Sequence, residues 1–177
     1  MMFYKEFKKI TTNILNDNRF MLLKNDVHHG TTKYAHCKRV SYLSFLFSKL
    51  FKGNVAEITR AALLHDFFFG ERLAKDENSY LKHPFVSAKN AKKYFNVTKD
   101  EENTIKSHMY HYAFVKKISL LTNEEDKKYL IENKPKGKAG VIVCLSDLLV
   151  SIYEVACYKI RYNASLYLLF ILNWIRL

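Results

Sequence analysis

The chain reads as an all-α protein, a single-domain bundle of about six to eight helices. Three observations carry that reading. Apolar residues recur mostly at helical spacing along the 177 residues. Five glycines and two prolines are too few for an all-β chain, which needs a turn every ten residues or so. Capping boxes at Thr98–Glu101 and Thr122–Glu125 mark two helix starts.

The elements follow in order. The opening MMFYKEFKKI is amphipathic and is not a secretion signal. From Tyr34 to Phe51, Val40, Leu43, Phe47 and Leu50 repeat at helical intervals. A second helix runs from about Asn54 to His65 through Val55, Ile58, Ala61, Ala62 and Leu64. His83-Pro84 opens a third, because proline suits the first helical position, and Ala88, Ala91 and Phe95 continue it. The two capping boxes open helices toward His108 and Ile131. Pro135, Gly137 and Gly140 punctuate a basic loop, Lys134 to Lys138. A long apolar helix then runs from about Gly140 to Tyr158; Val141–Leu145 alone would also suit a strand, but no partner strands are evident.

Residues 159–177 read as a further, apolar C-terminal helix, uncharged from Tyr162 to Ile175 between Arg161 and Arg176. That run is shorter than the roughly twenty residues that span a bilayer. It also holds Asn163, Ser165 and Asn173, so it reads as a buried or dimer-forming helix, with no membrane as partner. No linker or composition break divides the chain, and the motif-bearing part covers about 30–158.

Composition narrows the function. With 49% hydrophobic and 15% aromatic residues, the chain buries enough surface to exclude wholesale disorder. Lys and Arg outnumber Asp and Glu by 29 to 17, a net charge of +12, which fits an anionic partner; a source genome rich in Lys and Asn codons would produce the same excess. Three separated cysteines, Cys37, Cys144 and Cys157, form neither a disulfide framework nor a C-x-x-C zinc pair. The reading is a reduced, cytoplasmic protein.

The chemistry-bearing residues are polar groups inside apolar segments. Asp147 sits in VIVCLSDLLVSIY, and a helix apolar on nearly every face is buried. A buried carboxylate without a partner is costly, so Asp147 calls for a cation, a metal or hydrogen bonds, unless it marks the helix's polar edge. His65-Asp66 is similarly set in AALLHDFFFG. Neighbouring side chains diverge by about 100° on a helix, so both reach one ligand only near a helix end. His36, His83 and His108 each lie on a different predicted helix, and helical bundles build metal sites from facing helices.

In this order the residues resemble the HD-domain metal-dependent phosphohydrolases. His36-x-x-Arg39-Val40 resembles that family's first motif, ALLHD with Gly70 its namesake doublet, and LSDLL its closing aspartate motif. His83-Pro84 and His108 resemble the added histidines of its binuclear branch. The resemblance covers about Gly30 to Tyr158. It implies one metal held by His36, His65, Asp66 and Asp147, a second held by His83 and His108, and Asp66 as the bridging, catalytic carboxylate. The implied reaction is attack of a two-metal-activated hydroxide on a nucleotide or other small phosphate ester or anhydride. Dinucleoside polyphosphates and phosphomonoesters are both candidate substrates. The Gly-Tyr-Pro signature of cyclic-di-GMP enzymes is missing, and three phenylalanines follow Asp66 where guanosine tetraphosphate hydrolases carry acidic residues.

Mixed imidazole and carboxylate ligands favour iron or manganese, with cobalt, nickel or zinc as replacements and magnesium less suited. The same ligand set allows a di-iron oxygenase. A non-catalytic, metal-stabilised basic binding module is the reading from another class; nucleic acid is not the expected partner. Substrate contacts are sought at His29, in the His28–Thr32 turn before the first ligand, at Lys82 beside His83, and at His111, three residues beyond His108. Their plainer alternatives are a polar loop capped by Thr32, a solvated lysine and an exposed histidine. Cys37 and Cys144 read as packing residues.

Overall fold

The computed structural model describes residues 2–28, 30–70, 81–112, 128–129 and 131–175. Among these, seven α-helices surround the core and strand is confined to one short hairpin. Helix α1, Met2–Leu15, buries Phe7, Thr11 and Ile14 and leaves its lysines outside. Helix α2, Asn18–Met21, is capped by Asp17, and a 3-10 turn, Leu22–Lys24, leads on. Strands β1, Val27–His28, and β2, Thr31–Thr32, then pair antiparallel. Gly30 closes that hairpin at φ 77°. It needs to be glycine twice over, since a Cβ there would also strike the Tyr158 ring.

Helix α3, Lys33–Leu50, starts where Thr32 accepts a hydrogen bond from the Ala35 N–H. The Thr32 cap read from the sequence is therefore real. The buried face differs from the predicted one. Val40 is buried, but Leu43 and Phe47 are only partly so, and Leu50 is 69% exposed. The interior face instead carries His36, Cys37, Val40, Ser41, Ser44, Phe45 and Ser48. Serines suit this contact because the Ser41 hydroxyl donates to the Thr59 carbonyl of the next helix at 2.8 Å.

Helix α4, Val55–Leu64, is capped by Asn54 and ends at His65. Helix α5, His83–Phe95, has proline in its first turn and stops at Asn96 in the left-handed region. Helix α6, Lys99–Lys106, shows the complete Thr98–Glu101 capping box. The second predicted box, at Thr122, lies outside the described residues.

The last helix, α7, spans Lys138–Ile175 without a break. The sequence reading of two helices, parted near Tyr158, is corrected here, and so is the strand alternative for Val141–Leu145. No glycine or proline lies between Val141 and Ile175, so nothing local ends the helix. The stretch Lys138–Leu166 is long and apolar enough to cross a membrane, although part of it is buried inside the protein. Its first half belongs to the core: Ile142, Val143 and Val150 pack with Val40, Ile58 and Ala62. A second cluster joins Phe20, Leu23, Cys37, Leu64, Phe67 and Ile105. Each large side chain buried there is worth roughly 1.5–3 kcal/mol. The polar site lies among these helices.

Candidate metal centre

Six polar side chains from α3, the end of α4, the start of α5, the turn after α6, and α7 converge in the interior. His36, His65, Asp66, His83 and His108 are fully buried, and Asp147 is nearly so. His36, His65 and Asp147 offer three ligand atoms within 4.8 Å of one another, and so do His65, Asp66 and His108. His83 Nε2 joins the second group, 2.9 Å from His108 Nε2 and 3.2 Å from Asp66 Oδ1. His65 faces both groups: its Nε2 is 3.3 Å from His36 Nε2 and 3.9 Å from Asp66 Oδ2.

Local structure sets these aims. His65 and Asp66 stand where α4 ends, so the doublet escapes the divergence of neighbouring helical side chains. His108 lies in the turn past α6. The His65 Nδ1–H donates to the Ala62 carbonyl at 2.7 Å, and the His108 Nδ1–H to the Ile105 carbonyl at 2.8 Å. A carbonyl oxygen only accepts, so each Nδ1 carries a proton and each Nε2 is the nitrogen left to face inward. Such outer contacts fix the tautomer and orientation of metal-binding histidines.

The donor set fits a divalent cation. Burial lowers the His65 pKa to about 4 despite the nearby carboxylates, so its ring is neutral at pH 7. Its bare Nε2 then points at Asp147 Oδ1, 3.7 Å away, and at Asp66. Acceptors facing acceptors in a buried site are unfavourable unless a cation lies between them. Burial also works against charge on His36, but hydrogen bonds from its ring to Asp147 and Glu154 raise its pKa to about 9. Burial would raise the Asp147 carboxyl, yet His36 and the neighbouring imidazoles hold it below the usual carboxylate range.

Glu154 has no part in the sequence reading. It accepts from His36 Nδ1 at 2.9 Å and from Arg39 Nη1 at 2.7 Å. Its signal is a lone acidic residue two helical turns beyond Asp147. Lys33 is the second addition. Fully inside the protein, its ammonium donates to the Phe68 and Gly70 carbonyls at 3.1 and 2.6 Å and to Asp26 at 3.0 Å. It thereby ties the loop after Asp66 to the start of α3.

His29 lies outside the described residues. The Lys82 ammonium stands 5.8 Å from the centre of the Tyr129 ring. His111 Nδ1 is 3.5 Å from Cys144 Sγ; α6 ends at Lys106 and the chain turns before His111, so the two histidines do not share a helical face. Cys37 packs in the core as expected, and Phe67 and Phe68 are buried while Phe69 is 42% exposed.

A family model described as the HD domain matches residues 34–150, more than half of the chain. No curated protein and no solved structure matches it.

Proposed function

Because the chain belongs to the HD-domain family, we propose that it is a metal-dependent phosphohydrolase that uses two divalent metals on a nucleotide or other small phosphate ester or anhydride. The observation that carries this reading is the convergence of four Nε2 atoms and two carboxylates in one buried cluster. His36, His65 and Asp147 would hold one ion. His83 and His108 would hold the other, and Asp66, with one oxygen toward His65 and one toward His83 and His108, would serve both. Divalent ions bound there lower the pKa of water and neutralise charge on phosphoryl oxygens. Asp66 offsets their charge, and the buried walls strengthen every electrostatic contact inside. Mixed imidazole and carboxylate donors favour iron or manganese.

Metal analysis of the purified chain, followed by a phosphatase screen in the metal found, tests the reading. About two equivalents per chain are expected. Asp66→Ala should bind almost none, and His108→Ala should give up mainly one. Equal metal content in the wild type and Asp66→Ala would sink the assignment, and absence of phosphate release with fully loaded protein would sink the reaction.

A further inference from the structure

Resting on the phosphohydrolase reading, we infer that a cleft beside the cluster, between Arg39 and Arg161, is a second anion subsite that grips a remote phosphate or carboxylate of an extended substrate. The cleft has a volume of about 350 Å³ and is lined by Thr31, Arg39, Tyr153, Glu154 and Arg161 among others. Glu154 links this cleft to the metal centre, because it accepts from both Arg39 and His36.

The charge inside the cleft is positive. Among the described residues Glu154 is its one lining carboxylate, and that group already faces a guanidinium and an imidazole. Arg161 pairs with no carboxylate among the described residues. Arg39 is oriented through Nη1 alone, which donates to Glu154 and to Thr31 Oγ1 at 3.2 Å. Its Nε and Nη2 bond no described residue, and the side chain is 46% exposed. A guanidinium held by one nitrogen with its other donors open to solvent is preorganised for a planar or tetrahedral oxyanion. The Thr31 hydroxyl keeps its own proton to donate. Tyr153 and Ile160, both exposed, supply an apolar wall.

Spacing then says what kind of ligand fits. Asp147, Glu154 and Arg161 recur every seven residues on α7, and seven residues are about two turns, so they share one face. Each step is about 10 Å along the axis. Long side chains on a helix lean toward its N-terminus, which carries the Arg161 guanidinium back toward Glu154. A ligand filling both places therefore has one anionic group at the metals and another roughly 10 Å away. A small monoanionic phosphate ester reaches only one of them.

The test compares two probes on manganese-loaded full-length protein by calorimetry: hexyl phosphate, and hexane-1,6-diol bisphosphate, which adds a second phosphate at the far end. Wild type should bind the bisphosphate at least about fivefold more tightly, as a charge-assisted contact is worth that much or more. Arg161→Gln should abolish the difference, Arg161→Lys should restore part of it, and added salt should weaken it. Arg161 is exposed, so the variants keep the interior intact. Equal affinities for the two probes, or a preference that survives Arg161→Gln, would overturn the subsite. Inorganic phosphate binding lost in Arg161→Gln without any bisphosphate preference would mean a free-anion site and overturn the substrate role. A preference that behaves as expected, with no phosphate released from any ester, would leave the subsite standing and remove the hydrolase reading instead.

Discussion

Glu154 never touches the place where metals would sit, yet His36 depends on it. The imidazole has Asp147 on one nitrogen and Glu154 on the other, at 3.1 and 2.9 Å. An acceptor behind a ligating histidine fixes its tautomer and raises its basicity, and losing one typically costs about 10–100-fold in metal affinity. Glu154→Gln keeps a carbonyl oxygen for the His36 Nδ1–H but removes the charge, so its loss should fall at the low end of that range. Glu154→Ala should fall at the high end. Competition titration with a chromophoric chelator reads both; two variants as tight as wild type would show that Glu154 serves only Arg39. Asp147 and the His65–Asp66 doublet were legible because each is polar within an apolar run, a pattern that burial makes costly without a partner; His36, His83 and His108 were assigned through the resemblance to the family. Glu154 obeys the same rule, at two turns from Asp147, but an isolated acid on a long helix also reads as a solvent-facing residue. What separates the readings is the partner His36, 118 positions away in sequence, and no local pattern contains that.

At the scale of elements, the start of α3 and the loop after α4 are joined by one buried ammonium. Lys33 bonds two carbonyls and Asp26, and it lies 3.6 Å from the centre of the Phe68 ring, which also packs on His83 at 5.0 Å between ring centres. Gly70, at φ 87°, turns the chain so that its carbonyl reaches Lys33. Lys33→Met keeps the length of the side chain but removes the buried ammonium that donates to the Phe68 and Gly70 carbonyls and to Asp26, so it should cost about 3 kcal/mol in urea unfolding. It should also weaken metal binding by His83 and His108 more than by His36 and Asp147. A loss below about 0.5 kcal/mol, the level of ordinary surface changes, would show that water replaces the ammonium. Helix starts were the best-read elements, since Thr32, Asn54 and Thr98 act through bonds made within a few residues and Pro84 through its fixed φ. Faces and ends were read less well. The interior face of α3 is rich in serine because its neighbour approaches closely, and serine looks polar in any periodicity. The continuity of α7 went unseen because Lys159 and Arg161 interrupt the apolar run near Tyr158 and resemble a boundary, while the backbone has no reason to break there.

For the whole molecule, the cluster couples stability to metal and to pH. Without metal, His36 is an imidazolium between two carboxylates, and its pKa is raised to about 9 from 6.5. A raised histidine contributes stability that is fully present below about pH 6.5 and is lost as pH climbs through 9. That span corresponds to about 3 kcal/mol. His65, lowered to about 4, has the opposite sign: it penalises folding as pH falls below 6.5 and contributes nothing to the change above it. Between pH 6.5 and 9, then, chelator-treated protein should lose stability because of His36. Metal-loaded protein should not, because a cation at Nε2 takes the place of that proton and binding strengthens as protons become scarce. A ligand at a thousand times its Kd adds about 4 kcal/mol, and for a domain of this size each kcal/mol moves Tm by about 2–4 °C. Thermal melts with and without manganese should thus differ by about 10 °C at neutral pH, and the gap should widen toward pH 9. A gap that narrows over the same range would mean that the His36 proton is retained when metal binds, and His36 would then have to be removed from the ligand set.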